Sequence, residues 1–242
     1  MAQADVIRDD LAQSAAALSA QPLLVVITVG LVLAPVLLSG RLEILAVPLA
    51  LFQVGFWATQ RIWFLRAFRG KPFGTDEIWP LSLVFFGRML VLGIATACAA
   101  SLLVLPVVLT SPLPQPGEPL PASFVFMGVV IALLVDVALT FVVPALSYST
   151  RSVREAFEIG FKMIVDTWPK SALYVLTPGI AATLPAGLLG SSSVIGRIAL
   201  AIIGAMLALW FKGAIAAYYL RLRPDTPDNG SAHSSGGPSM RL

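Results

Sequence analysis

The stretch FVFMGVVIALLVDVALTFVVPALSYSTRSVREAFEIGFKMIVDTWPK, residues 124–170, combines an apolar run with an amphipathic segment. The run from Phe124 to Leu146 contains one acid, Asp136. About 20 apolar residues let a helix cross the ~30 Å hydrocarbon core of a bilayer, and a helix satisfies its own backbone there. The run therefore predicts a transmembrane helix. A buried helix of a soluble protein is disfavoured because several similar runs occur elsewhere in the chain.

The segment from Arg151 to Trp168 has the pattern of an amphipathic helix. Ser152 and Glu155 have the spacing of a capping box. We expect such a helix to lie in the headgroup plane or to pack under the spans, with Arg154 and Glu158 towards water. One stripe at helical spacing is apolar and is expected to face lipid or the bundle: Val153, Phe157, Phe161, Ile164 and Trp168.

The link between the apolar run and the amphipathic helix carries a family resemblance. Its residues are Pro144, Ala145, Leu146, Arg154, Glu155, Ala156, Phe157, Gly160, Phe161 and Trp168. Residues 124–170 resemble the six-span bacterial and archaeal membrane proteins related to the membrane domain of glycerophosphodiester phosphodiesterases. The resemblance implies a six-span fold and a membrane location, and it carries over no catalytic residue. No hydrolase domain follows in this chain, so it implies no phosphodiesterase activity.

Composition points to the same class of protein. Of 242 residues, 57% are hydrophobic and 12% are charged, whereas soluble domains contain about 25% charged residues. We predict an all-α polytopic integral membrane protein with six transmembrane helices and amphipathic cytoplasmic or interfacial helices. The predicted domains are an N-terminal amphipathic helix at residues 1–21, a transmembrane domain at 22–220 and a disordered cytoplasmic tail at 221–242.

Six apolar segments are predicted to cross the membrane. The first ends in a turn, the third carries a small-residue face at Gly93, Ala97 and Ser101, and the fifth is interrupted at residues 177–179. That interruption could expose backbone groups to a ligand, although proline is common in membrane helices. The predicted spans are residues 22–38, 42–57, 81–105, 124–146, 173–189 and 198–220.

The distribution of the sixteen Lys and Arg residues predicts the orientation. Basic residues concentrate on the cytoplasmic side of membrane proteins. We therefore predict a multi-pass protein of the cell (plasma) membrane with both termini in the cytoplasm. Arg41 and Arg197 fall on the far side, and Arg88 and Lys212 fall within spans. The cytoplasmic set is Arg8, Arg61, Arg66, Arg69, Lys71, Arg151, Arg154, Lys162, Lys170, Arg221, Arg223 and Arg241.

Three charged residues inside predicted spans form a candidate intramembrane charge network: Asp136, Arg88 and Lys212. A charge at the bilayer centre costs ~2.5–3.5 kcal/mol on insertion scales, so such residues usually face the interior and pair. We expect Asp136 to pair with Arg88 first and Lys212 second, because spans 3 and 4 are consecutive. The alternatives are that both cations reach the headgroups or that the acid belongs to a proton or substrate relay.

The sequence contains no catalytic, metal-binding or nucleotide-binding motif. Cys98 lies alone in a span and His233 lies alone in a polar tail, so we expect no enzyme activity, no cofactor, no metal site and no nucleic-acid partner. Two functions remain. The first is a non-enzymatic accessory or scaffold component that contacts the lipid bilayer and a partner membrane protein. The second is a permease or the membrane subunit of a transporter that works with a separate ATPase.

Overall fold

A computed structural model describes residues 3–38, 43–71, 73–110, 122–177 and 194–226. Helices dominate this part of the chain, and it contains no strand. A short 3₁₀ helix, Thr75–Glu77, precedes α4, and residues 172–177 are helical where the description stops. The long helices are α1 (Gln3–Ala20), α2 (Pro22–Leu38), α3 (Glu43–Phe68), α4 (Ile78–Thr110), α5 (Ala122–Tyr148), α6 (Val153–Thr167) and α7 (Val194–Leu222).

Three helices in the described residues are long and apolar enough to cross a membrane. They cover Thr75–Pro106, Phe126–Tyr148 and Ile198–Leu222. The segments Val6–Ala20 and Pro22–Ala34 meet at a bend of 91° and add a fourth if they count as one span. These apolar helices are consistent with the predicted membrane class. Most of the predicted fifth span lies outside the described residues.

The core lies at one end of the bundle, where α3 and α5 finish and α4 begins. Phe64, Phe85, Tyr148 and Tyr219 are almost completely buried there. Towards the other end, α4 exposes large apolar side chains, among them Ile94, Leu102, Leu103, Leu105 and Leu109. Such a continuous apolar surface would be unfavourable in water and is suited to hydrocarbon.

The helices α3 and α4 approach closely through one glycine. A Cβ atom on Gly55 would collide with the backbone carbonyl of Ser82, and the hydroxyls of Thr59 and Ser82 are hydrogen-bonded at 3.0 Å. The small-residue face predicted for close packing on α4, which includes Gly93, is exposed instead, and a Cβ atom there would meet nothing. The close contact forms at the start of α4 because that end belongs to the core.

The N-terminal helix α1 packs against α7. Ser14 donates to the carbonyl of Trp210 at 2.7 Å, and the indole N–H of Trp210 donates to the carbonyl of Leu11 at 2.9 Å. A Cβ atom on Gly213 would collide with Ser14, so glycine allows this approach. At its other end, α7 continues to Leu222, beyond the predicted start of a disordered tail.

The residues that follow α7 are also held in place. Arg69 donates to the carbonyl of Thr226, and Thr226 is buried. The first residues of the predicted tail, 221–226, therefore pack on the end of α3 through this contact. Residues 227–242 lie outside the described part of the chain.

Candidate functional site

Asp136 lies on α5 at the inner side of the bundle. Its Oδ2 atom is buried and has no hydrogen-bond partner among the described residues. The cationic charges that act on it come first from Lys212 on α7 and then from Arg61 on α3. The structure thus brings together two of the three residues of the predicted network and adds a cation from a third helix.

Arg61 is a buried residue, with 6% of its surface exposed. It donates from Nη1 to the carbonyl of Lys212 at 2.7 Å, and its own carbonyl accepts the hydroxyl of Tyr148 at 2.6 Å. The sequence prediction that Arg61 reaches headgroups is therefore corrected. A signal was present, because the chain is apolar again directly after it, at residues 62–65.

Lys212 continues the polar contacts towards α2. Its ammonium donates to Gln60 at 3.3 Å and lies 6.0 Å from the centre of the Trp57 ring. Gln60 in turn donates to the hydroxyl of Thr28 at 2.7 Å. A row of polar side chains therefore crosses the bundle from α2 through α3 to α7 and ends near the carboxylate on α5.

Arg88 lies apart from this group. Its guanidinium stands 5.0 Å from the centre of the Phe85 ring, and the other charge that acts on it comes from Arg151, which follows the end of α5. The expected first pairing with Asp136 is therefore not the arrangement in the described residues. Because an arginine has a long stem, its charge can lie nearer the polar end of the bundle than its position on α4 indicates.

A second buried acid, Asp10, was missed by the sequence prediction. Asp10 has 0% of its surface exposed, accepts the hydroxyl of Tyr174 at 2.5 Å and forms an ion pair with Arg221. The signal was the spacing of Asp10 and Ser14, four residues apart and thus on one helical face. Three acids near the start of α1 instead suggested a solvated face.

The start of α6 confirms half of the predicted capping box. Ser152 is the N-cap, and its hydroxyl accepts the backbone N–H of Glu155 at 3.4 Å. The carboxylate of Glu155 accepts the hydroxyl of Thr150 instead of returning to the N-cap backbone. The helix start is thus fixed by residues on both sides of the link.

The side chains of α6 divide into three faces. Ala156, Gly160 and Met163 are buried, and a Cβ atom on Gly160 would lie 2.6 Å from Val142 on α5. The predicted apolar stripe includes residues outside this packing face, as Phe161 is 49% and Trp168 is 56% exposed. The third face is polar.

The predicted stripe and the polar face of α6 differ in their contacts. The rings of Phe157 and Phe161 stack with centres 6.0 Å apart. On the polar face, Arg154 and Glu158 form the expected i,i+4 ion pair at 3.1 Å. Both side chains are exposed, and such pairs add little stability. The stripe thus remains free to meet lipid while small residues dock the helix on α5.

Comparisons of this chain with protein-family models, curated proteins and solved structures gave no match. The interpretation of its sites therefore rests on their geometry and chemistry.

The group around Asp136 offers a carboxylate and two cations from three helices. Such a group can tie the helices together, or the carboxylate can accept and release a proton. Within the described residues, no group of three or more His, Cys, Asp and Glu side chains is positioned to hold a metal ion.

Proposed function

We propose that this protein is a non-enzymatic accessory or scaffold component of the cell membrane. The main support is the use of polar side chains to join backbone segments of different helices. Arg61 binds the carbonyl of Lys212, and Tyr148 binds the carbonyl of Arg61. A donor that is committed to a main-chain carbonyl holds the helix pair in one arrangement, which is a structural role.

Six spans with both termini in the cytoplasm form the proposed topology. Its support is that several chain segments meet at one end of the bundle. Arg66 near the end of α3 pairs with Glu77 before α4 at 2.5 Å, and Ser149 after α5 bonds to Tyr219 near the end of α7 at 2.6 Å. Basic residues are concentrated around these segments, in accordance with the positive-inside rule.

Reporter fusions test this topology. We expect reporters fused at Ala2 and after Arg223 to give a cytoplasmic signal and one fused at Gln115 to give a signal from the far side. The physical reason is the strong bias of Lys and Arg towards one set of loops. Opposite signals from the two termini would rule out an even number of spans.

The exposed apolar stripe of α6 is proposed to lie at the membrane interface, with Arg154 towards water. Exposed aromatic rings beside a charged face suit the boundary between headgroups and acyl chains. This arrangement also agrees with the proposed relationship to the six-span family, whose link motif includes Ala156 and Gly160. Both residues are on the face of α6 that is buried.

Phe161→Asp tests the interfacial position of α6. We expect a loss of about 1–2 kcal/mol in unfolding free energy in lipid nanodiscs, since the exposed half of the ring loses apolar contact. Thermal or denaturant unfolding in nanodiscs measures the effect. Lys162→Asp, which places the same carboxylate on the polar face, is the matched control and should change stability less. Equal losses from both variants would contradict the assignment.

Site-directed photocrosslinking tests the scaffold role. A photoreactive residue at Lys162, on the polar face of α6, should give one protein adduct of constant mass in native membranes. The same residue at Leu102 on the apolar surface of α4 is the control and should give lipid adducts, because that side chain is exposed beside other apolar groups. Lipid adducts alone at Lys162 would contradict a scaffold role for this face.

Transport remains a second candidate because Asp136 has a buried, unpartnered carboxylate oxygen. Buried carboxylates in membranes often belong to proton or substrate pathways. Proteoliposomes with an imposed pH gradient and an internal pH dye separate the two functions for proton movement. The scaffold proposal predicts no flux above empty vesicles. Flux that is lost in Asp136→Asn would favour transport.

A further inference from the structure

An apolar groove of about 380 Å³ lies between α1, α2 and α7. It occurs beside the 91° bend between α1 and α2, so two helices that diverge from one corner form two of its walls and α7 forms the third. Its lining residues are Ala15, Leu18, Ser19, Val25, Met206, Leu207 and Trp210.

The polar atoms of this lining already have partners inside the protein. The hydroxyl of Ser19 donates to the carbonyl of Ala16 at 2.8 Å, and the indole N–H of Trp210 donates to the carbonyl of Leu11 at 2.9 Å. The groove therefore presents methyl, methylene, thioether and ring carbon surface. A polar ligand would lose its hydrogen bonds to water on entering and would gain few in return.

The mouth of the groove continues into exposed apolar surface. Val26, next to the lining residue Val25, is exposed, and so are Ile202 and Ile203, about one turn before Met206 on α7. An apolar chain can thus pass from the outer surface of α2 and α7 into the groove without crossing a charged rim at these residues.

We propose that this groove binds one acyl chain of a bilayer lipid. The inference rests on the proposed insertion of α2 and α7 in a bilayer and adds a defined lipid site to it. An acyl chain matches the lining, because its only favourable interaction is apolar contact. A segment of a second copy of the chain is the competing occupant, and the experiment separates the two.

Photoactivatable phospholipid tests the site in the full-length protein. Protein is reconstituted in phosphatidylcholine vesicles that contain a diazirine-labelled acyl chain, extracted into mild detergent and then irradiated. We expect adducts on peptides containing Met206 or Trp210 to survive extraction, whereas adducts on the open apolar surface around Leu102 form only in vesicles. A bound chain exchanges more slowly than lipid on an open surface.

Ala15→Trp should fill the groove and reduce the retained adducts about tenfold, which corresponds to roughly two methylene groups losing apolar contact. Ala12→Trp, on an exposed part of α1, is the matched control and should retain them. Equal adducts in both variants, or loss of the groove adducts on extraction, would overturn the acyl-chain site. A crosslinked dimer would identify a second copy as the occupant.

The vesicle sample distinguishes this failure from failure of the membrane proposal. Labelling around Leu102 without labelling of the groove would reject the lipid site and leave the bilayer insertion supported. Absence of labelling in both places would instead contradict the insertion of these helices.

Discussion

Arg221→Met is expected to lower the unfolding free energy by about 3 kcal/mol, near the lower end of the ~3–5 kcal/mol range for breaking a buried ion pair. The reason is the difference in exposure of the two partners. Asp10 is completely buried, whereas the side chain of Arg221 is 40% exposed. Removal of the arginine leaves a carboxylate that cannot reach water and retains only the hydroxyl of Tyr174.

Asp10→Asn should cost less, about 1–2 kcal/mol, because the remaining Arg221 can turn towards water while the amide still bonds to Tyr174. Adding Asp10→Asn to Arg221→Met should therefore restore part of the stability lost in the single arginine variant. Denaturant unfolding of detergent-solubilised protein measures all three variants. Asp9→Asn is the matched control, since Asp9 is the exposed neighbour, and should stay within about 0.5 kcal/mol.

The order of the two single variants is the decisive outcome. If Asp10→Asn destabilises the protein more than Arg221→Met, the carboxylate is not stranded by loss of its partner. Additive effects in the double variant would mean that the two groups are not coupled. Either result would contradict an N-terminal helix held on α7 by this ion pair.

Local sequence patterns predicted the elements that depend on local physics. The apolar run around Asp136 forms α5, and the cap at Ser152 begins α6. Both follow from residues within a few positions of one another. The division of α6 into faces was harder to predict, because the small residues Ala156 and Gly160 pack on the bundle while larger apolar residues remain exposed.

Tertiary contacts explain what the sequence did not predict. The partners of Asp10 are Tyr174 and Arg221, far along the chain, so no local spacing could identify them. Arg61 was assigned to headgroups because neighbouring basic residues suggested a loop. Its burial depends on the Lys212 carbonyl and on Tyr148, which only the packing of α3 with α5 and α7 brings near.

Asp136→Asn is expected to lower the unfolding free energy by about 3 kcal/mol, because it removes the carboxylate that acts on two buried cations. Lys212→Met should cost less. It leaves Asp136 with Arg61, so one charge of each sign remains, whereas Asp136→Asn leaves Lys212 and Arg61 with no balancing charge from this acid. Unfolding in lipid nanodiscs measures the difference between the two single variants.

The variant Asp136→Asn/Lys212→Met tests their coupling. Its loss should be smaller than the sum of the single losses by about 0.5–3 kcal/mol, the range for interacting residues. Arg88→Gln serves as the comparison, since Arg88 lies over Phe85. Its effect should be only about 0.5–1 kcal/mol, the value of an exposed cation–π contact.

The same variants separate the pairing expected from the order of the spans from the pairing in the structure. A strong coupling of Asp136 with Arg88, and none with Lys212, would favour the former and contradict the arrangement described for α3, α5 and α7. If Asp136→Asn folds with unchanged stability and abolishes a measured proton flux, the acid serves transport. A large loss of stability without any flux in the unmodified protein supports the scaffold, because the charge then acts only by holding helices together.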